Sequence, residues 1–229
     1  MHPSTIPNYT LRALKWPVAL ACLLTWVALP DALMNSDLKD LGFDESLWLL
    51  GGAGAYLIGW ILIFRHPFSG SYFSTFEHEL THAIFAWSTL HRVIGLRVTW
   101  RDGGVCTYEG SGGGNWLISI GPYWFPTLTV LPAIALPFLE GTYLPWVQAL
   151  VGFTIAYHIT STWRETHREQ TDLQETGFIF AAIFLPIANI VIYTSLVLLS
   201  LRGAGSSWNL ISDIGQGMVT FVSGLISSL

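Results

Sequence analysis

Long apolar runs separated by short polar intervals dominate the chain, and their lengths set the first expectation. A helix needs about 20 apolar residues to cross a bilayer. Runs of that order occupy 14–34, 47–64, 72–90, 116–139, 143–160 and 178–200. They predict an α-helical polytopic membrane protein with about six membrane segments. An acidic loop with Asp37, Asp40, Asp44 and Glu45 separates the first two, and Arg65-His66-Pro67 closes the second. Ser71 or Ser74 is suited to cap the start of the third. Gly121-Pro122, Pro126, Pro132 and Pro137 interrupt the fourth. That segment is either one kinked span or a short re-entrant piece followed by a helix. Its broken backbone at membrane depth must be buried in protein or line a cavity. The Gly/Ser-rich stretch 208–229 reads as an interfacial helix. No internal repeat is visible, so 1–229 is taken as one domain.

The pattern changes period between 91 and 115. Val93-Ile94-Gly95-Leu96-Arg97-Val98-Thr99-Trp100 roughly alternates apolar and polar, Asp102-Gly103-Gly104 signals a turn, and Val105-Cys106-Thr107-Tyr108-Glu109 resumes the alternation. This predicts a small β-hairpin. Gly110-Ser111-Gly112-Gly113-Gly114 follows as a flexible or close-approach segment. Such a hairpin is either a surface connection or an exposed edge that pairs with an extended peptide. Thr99 and Thr107 are the candidate edge positions for substrate binding.

Composition agrees with the apolar pattern. Hydrophobic residues make up 52% of the chain and charged residues 11%, against about 25% charged in soluble domains. Mean hydropathy is +0.50. Eleven Trp and 11 Pro suit interfacial anchors and broken helices. Arg12 and Lys15 precede the apolar run Trp16–Leu29 as they would in a signal peptide. Leu29-Pro30-Asp31-Ala32 is a poor cleavage site, however, so an uncleaved first membrane helix is expected. The net charge of −5, without a Lys/Arg run, gives nucleic acid no footing as a partner. Cys22 and Cys106 suggest neither a disulfide framework nor a Cys-based zinc site.

The chemistry sits in the third segment, where His78-Glu79-Leu80-Thr81-His82 forms an H-E-x-x-H pentad. Four residues make slightly more than one helical turn, so both imidazoles share a face and can share a metal. Neutral imidazole suits Zn²⁺, and Glu79 is placed to take a proton from a metal-activated water. Phe73, Phe76, Leu80, Ala83, Ile84, Phe85 and Trp87 surround the pentad, and ionisable groups in such a setting call for a functional explanation. A catalytic zinc needs a third protein ligand. The polar stretch after the fifth segment supplies His158, Glu165 and Asp172 at intervals of seven, one face of a helix. Asp172 is the first candidate and Glu165 the second; the alternative is that these charges are simply solvated at the membrane surface.

The pentad in a membrane helix, the Gly-rich hairpin after it, Ser119-Ile120-Gly121-Pro122, and a carboxylate before the last span together resemble the site-2-protease (M50) metalloproteases. The similarity is greatest to their short bacterial branch without a PDZ domain and spans roughly 72–180. In that family an Asp within Leu-Asp-Gly is the third zinc ligand, and Gln170-Thr171-Asp172-Leu173 looks like its counterpart. No Gly follows Asp172, and no Asn-x-x-Pro precedes it at the usual spacing. The resemblance implies zinc held by His78, His82 and Asp172 with Glu79 as catalytic base. It further implies an endopeptidase acting on membrane proteins or peptides in a bacterial cytoplasmic membrane. Three rivals are carried: a membrane zincin that uses a Glu ligand, a non-catalytic metal-binding scaffold or chaperone, and a small ion or metal transporter. If all six segments crossed fully, the pentad's end of the third helix and Asp172 would fall on opposite faces. A re-entrant Gly121-Pro122 segment removes that conflict.

Overall fold

The computed structural model describes residues 2–64, 71–99, 103–110 and 114–228. Arg65-His66-Pro67, Asp102 and Ser111–Gly113 therefore lie outside the described residues, as does the side chain of Ser71. The chain opens with α1 (Thr5–Asn35) and α2 (Phe43–Gly59), which runs on into a π-helical turn at Trp60–Phe64. Asp44 and Glu45 sit in the first turn of α2, where carboxylates favour the positive end of a helix. The pentad lies in α3 (Ser71–Ser88), followed by the predicted hairpin of β1 (Arg92–Val98) and β2 (Gly104–Glu109). The strands are antiparallel, with a bulge between Val93 and Gly95.

The proline-interrupted segment is broken into α4 (Trp116–Ile120), a 3₁₀ turn at Gly121–Tyr123, and α5 (Thr127–Ala135). Then come α6 (Leu144–Glu165), the short α7 (Thr171–Thr176), α8 (Phe178–Arg202) and α9 (Ala204–Ser227). Between the last two, Gly203 takes φ 89°, a left-handed value that a side chain disfavours.

Among the described residues four stretches are long and apolar enough to cross a bilayer: Thr5–Asp40, Phe43–Ile63, Phe178–Arg202 and Ala204–Ser227. Trp116–Tyr123 with Thr127–Phe138 makes a fifth if taken as one span bent by 76°. The expected six is thus slightly high. α3 and α6, which carry the ionisable side chains, are not among these stretches, whereas α9, read as interfacial, qualifies as a span. Leu20, Ile58, Ile61, Ile179 and Val219 point outward and exposed, as they must where the solvent is lipid.

Two apolar clusters meet along α8. One joins α1, α4, α7, α8 and α9 through Ala19, Leu29, Trp116, Leu173, Phe180, Phe184 and Ile214. The other joins α2, α5, α6 and α8 through Leu49, Ala133, Val151, Ile155 and Leu196. α2 and α6 pack backbone to backbone. A Cβ on Gly52 would run into the Ala149 carbonyl, and one on Gly152 into that of Leu49. Small residues let membrane helices approach this closely.

Contacts at the two ends order the helices. At one end Arg202, which closes α8, pairs with Glu45 at 2.8 Å, and Ser206 of α9 bonds Asp37. The opposite end gathers the starts of α1, α4 and α8: Trp116 Nε1 donates to Leu11 O at 2.6 Å, and Lys15 Nζ lies 5.4 Å from the Phe180 ring. Both ends of α3 are tied there too. Ser74 in its first turn bonds Glu165 at the end of α6, and His91, just beyond its last turn, bonds Asn8 of α1 at 3.1 Å. α3 therefore lies across this end of the bundle. The topological conflict raised by the sequence disappears, because the segment that does not pass from end to end is the pentad helix. The broken segment keeps its kink for a different reason.

Candidate metal centre

The i, i+4 geometry of α3 places the His78 and His82 rings 4.8 Å apart. The third member arrives from a different helix. α6 stops at Glu165, and after a short turn α7 presents Asp172. Its Oδ2 lies 3.2 Å from His78 Nε2 and 3.4 Å from His82 Nε2. One ligating atom from each of the three residues falls within 4.8 Å of the others. Ligands about 2.0–2.1 Å from a tetrahedral zinc stand roughly 3.3–3.4 Å apart, so both carboxylate–imidazole separations fit such an ion.

The remaining imidazole nitrogens are also engaged. His78 Nδ1 donates to Glu165 Oε2 at 2.9 Å, and His82 Nδ1 donates to the Ile118 carbonyl at 2.8 Å. A metal-ligating His typically donates its other N–H in this manner, which fixes tautomer and ring orientation. The bonds thus leave Nε2 of each ring as the nitrogen turned toward Asp172. They also separate the two sequence candidates: Asp172 shares the metal-facing side, while Glu165 stands behind His78. Ser74 Oγ bonds the other Glu165 oxygen, so this carboxylate is itself held. His158, first in the run of sevens, is not part of this group; it is buried with Nδ1 2.6 Å from Tyr193 Oη.

Asp172 is also met by the hydroxyl of fully buried Tyr123, which donates to Oδ2 at 3.3 Å. Burial works to raise this carboxyl's pKa, but hydrogen bonds and positive charge from His78 and His82 outweigh it. Asp172 is held below the usual carboxylate range, in the anionic form that metal ligation requires.

Glu79, 8% exposed, faces a cavity of about 280 Å³ beside the three ligating groups. Gly104, Cys106 and Tyr108 of β2, Ser119, Gln170 and Glu175 complete its largely polar wall. β2 comes close: a Cβ on Gly104 would lie 2.6 Å from Glu79 Cγ and 2.7 Å from Thr75 Cγ2. Among the described residues the two-stranded sheet leaves the outer edge of β2 without a partner strand. Thr99 N–H donates to Gly103 O at 2.9 Å. From that pair, the alternation of an antiparallel ladder turns the main chain of Thr107, opposite Gly95, toward β1. It turns those of Gly104, Cys106 and Tyr108 the other way. Thr99 and Thr107 thus lie in the hairpin as expected but not on its free edge.

Two supports of the site carried little signal in the sequence. The Ile118 carbonyl is main chain, which no residue type announces. Its position comes from α4, whose N-cap Asn115 accepts from Leu117 N and Ile118 N and donates to Asn8 Oδ1 at 2.8 Å. Tyr123 follows Gly121-Pro122 directly, so the break at that dipeptide marked its neighbourhood though not its role.

Fold and site define a polytopic helical membrane protein whose H-E-x-x-H histidines meet an aspartate in a group that could hold a metal ion. A family model described as Peptidase M50B-like matches residues 50–186, more than half of the chain. The chain belongs to the M50B-like peptidases, a family of membrane metalloproteases. No curated protein and no solved structure matches it.

Proposed function

We propose that this chain is a zinc endopeptidase that hydrolyses membrane-associated proteins or peptides, and, on its resemblance to the bacterial branch, does so in a bacterial cytoplasmic membrane. The observation that carries the reading is the convergence of His78, His82 and Asp172, from helices far apart in sequence, at a polar cavity that also holds Glu79. His78, His82 and Asp172 hold the metal, and Glu165 and the Ile118 carbonyl orient the two imidazoles. When bound, zinc polarises the scissile carbonyl and lowers the pKa of water toward about 7. Glu79 accepts the proton of the attacking water on its carboxylate and delivers it to the departing amine nitrogen. A helical substrate has its backbone bonds satisfied internally and must unwind first. The outer edge of β2, at Gly104 and Tyr108, is suited to hold it extended by strand addition. A non-catalytic scaffold would have no use for a base beside the ligands, and the chain shows no internal repeat of the kind many transporters carry.

The decisive experiment is metal analysis joined to hydrolysis. Protein purified in detergent is expected to carry about one zinc per chain and to cleave fluorescently labelled casein. Chelation should abolish the cleavage and zinc should restore it. Absence of bound zinc, or cleavage that survives its removal, defeats the reading.

The approach of β2 to the base supplies a subtler check. Gly104→Ala sets a methyl where Glu79 Cγ now packs. Zinc content should stay as in wild type while casein hydrolysis falls on the order of 10²-fold, the cost of misplacing a reacting group by about 1 Å. Wild-type hydrolysis by this variant would show that Glu79 does not depend on β2 for its position.

A further inference from the structure

α3 carries a second pair of polar residues at i, i+4 spacing, Glu77 and Thr81, on the face next to that of the histidines. Glu77 is 4% exposed and Thr81 fully buried, an expensive arrangement unless both are bonded. Both reach the first turn of α5, just beyond the break in the kinked segment. Leu128 N–H donates to Glu77 Oε1 at 2.9 Å, and the Thr81 and Thr127 hydroxyls lie 2.5 Å apart. Thr81 Oγ1 also donates to the Glu77 carbonyl at 2.8 Å.

The start of α5 needs such help. A helix leaves its first N–H groups without internal partners, and the residue in the capping position is Pro126, which makes no side-chain cap bond. Glu77 supplies from another helix the acceptor that α5 lacks, setting a carboxyl oxygen against an N–H of its first turn. The far side of the break is held separately, by Asn189 Nδ2 donating to Tyr123 O at 3.0 Å.

This clamp joins the metal helix to the segment that supports the metal residues from outside. On the other side of the break from Leu128 stand Tyr123, whose hydroxyl meets Asp172, and Ile118, whose carbonyl meets His82. We propose that Glu77 is a positioning residue of the metal centre. By capping α5 from within α3 it fixes the broken segment, and through Ile118 and Tyr123 it sets the orientation of His82 and Asp172. The kink is thereby accounted for as well: its prolines free a helix start near the pentad for Glu77 to bind.

The proposal rests on the metal reading above, and Co²⁺ substitution separates the two. Full-length protein in detergent is stripped, loaded with Co²⁺, and followed by visible absorption and by titration. Glu77→Ala is expected to weaken Co²⁺ binding by about 10–100-fold, the usual effect of losing an outer support, and to shift the absorption bands. Glu77→Gln, which keeps an oxygen for Leu128 N–H, should restore both toward wild type. Val151→Ala serves as the control, since it removes volume from the fully buried α2–α6–α8 cluster and should lower Tm without moving the bands. If Glu77→Ala lowers only Tm, with bands and affinity unchanged, the role is merely structural and the proposal is overturned. Should that chain fail to fold, Thr81→Val carries the test: a shifted spectrum supports the clamp and an unshifted one overturns it. Failure of the wild type to take up Co²⁺ would remove the metal centre and this role together, whereas normal uptake with an unmoved Glu77→Ala spectrum removes this role alone.

Discussion

Glu79→Gln should retain its zinc and lose peptide hydrolysis by about 10²–10⁴-fold, the usual contribution of a positioned acid–base group. The candidate ligating atoms belong to His78, His82 and Asp172, so the substitution leaves all three in place. Gln has nearly the volume of Glu, so the packing against Gly104 survives. What disappears is the ability to take a proton from water and return it to the amine. The test pairs zinc content with initial rates on labelled casein. Turnover at the wild-type rate would sink the mechanism. Loss of both zinc and activity would instead make Glu79 a support of the metal rather than the base.

The half of the site set by local periodicity was legible in the sequence. An i, i+4 pair of histidines with a glutamate between them dictates a shared face whatever the rest of the chain does. The alternation of 93–109 likewise dictated a hairpin. The third ligating group was reached by an argument only half physical. Intervals of seven from His158 through Glu165 to Asp172 presuppose one continuous helix, and α6 ends at Glu165. Asp172 meets His78 across 94 residues of sequence, a closure that no local spacing encodes. The resemblance pointed to the same residue.

Glu77 was the overlooked signal. It is an acid beside the pentad in an apolar helix, with Thr81 one turn on, and the cost of burying such a group was as visible as for the histidines. Its partner, the Leu128 N–H, was not visible, because a helix start exposed by proline is a property of backbone. The path of α3 was hidden for a related reason. Hydropathy measures how long an apolar run is, whereas tertiary bonds from Ser74 and His91 decide that both ends of this helix stay at one end of the bundle.

Asp172→Ala and Glu165→Ala should part company in metal binding, because the two carboxylates meet opposite nitrogens of His78. Asp172 Oδ2 lies on the Nε2 side of both histidines, at 3.2 and 3.4 Å. Its removal leaves two imidazoles where a catalytic zinc needs three protein ligands, and it strips the partner from the buried Tyr123 hydroxyl. Zinc should be nearly absent after dialysis against metal-free buffer, and hydrolysis should vanish with it. Glu165 accepts from Nδ1 of His78 and from Ser74. Its loss frees the ring to turn but removes no ligating atom, so affinity should fall by about 10–100-fold while excess zinc still fills the site and restores most of the activity. Titration of both stripped variants with zinc, with hydrolysis measured along the way, distinguishes the roles. Full zinc affinity in Asp172→Ala together with irreversible loss in Glu165→Ala would exchange them, making Glu165 the ligand and Asp172 the residue that orients His78.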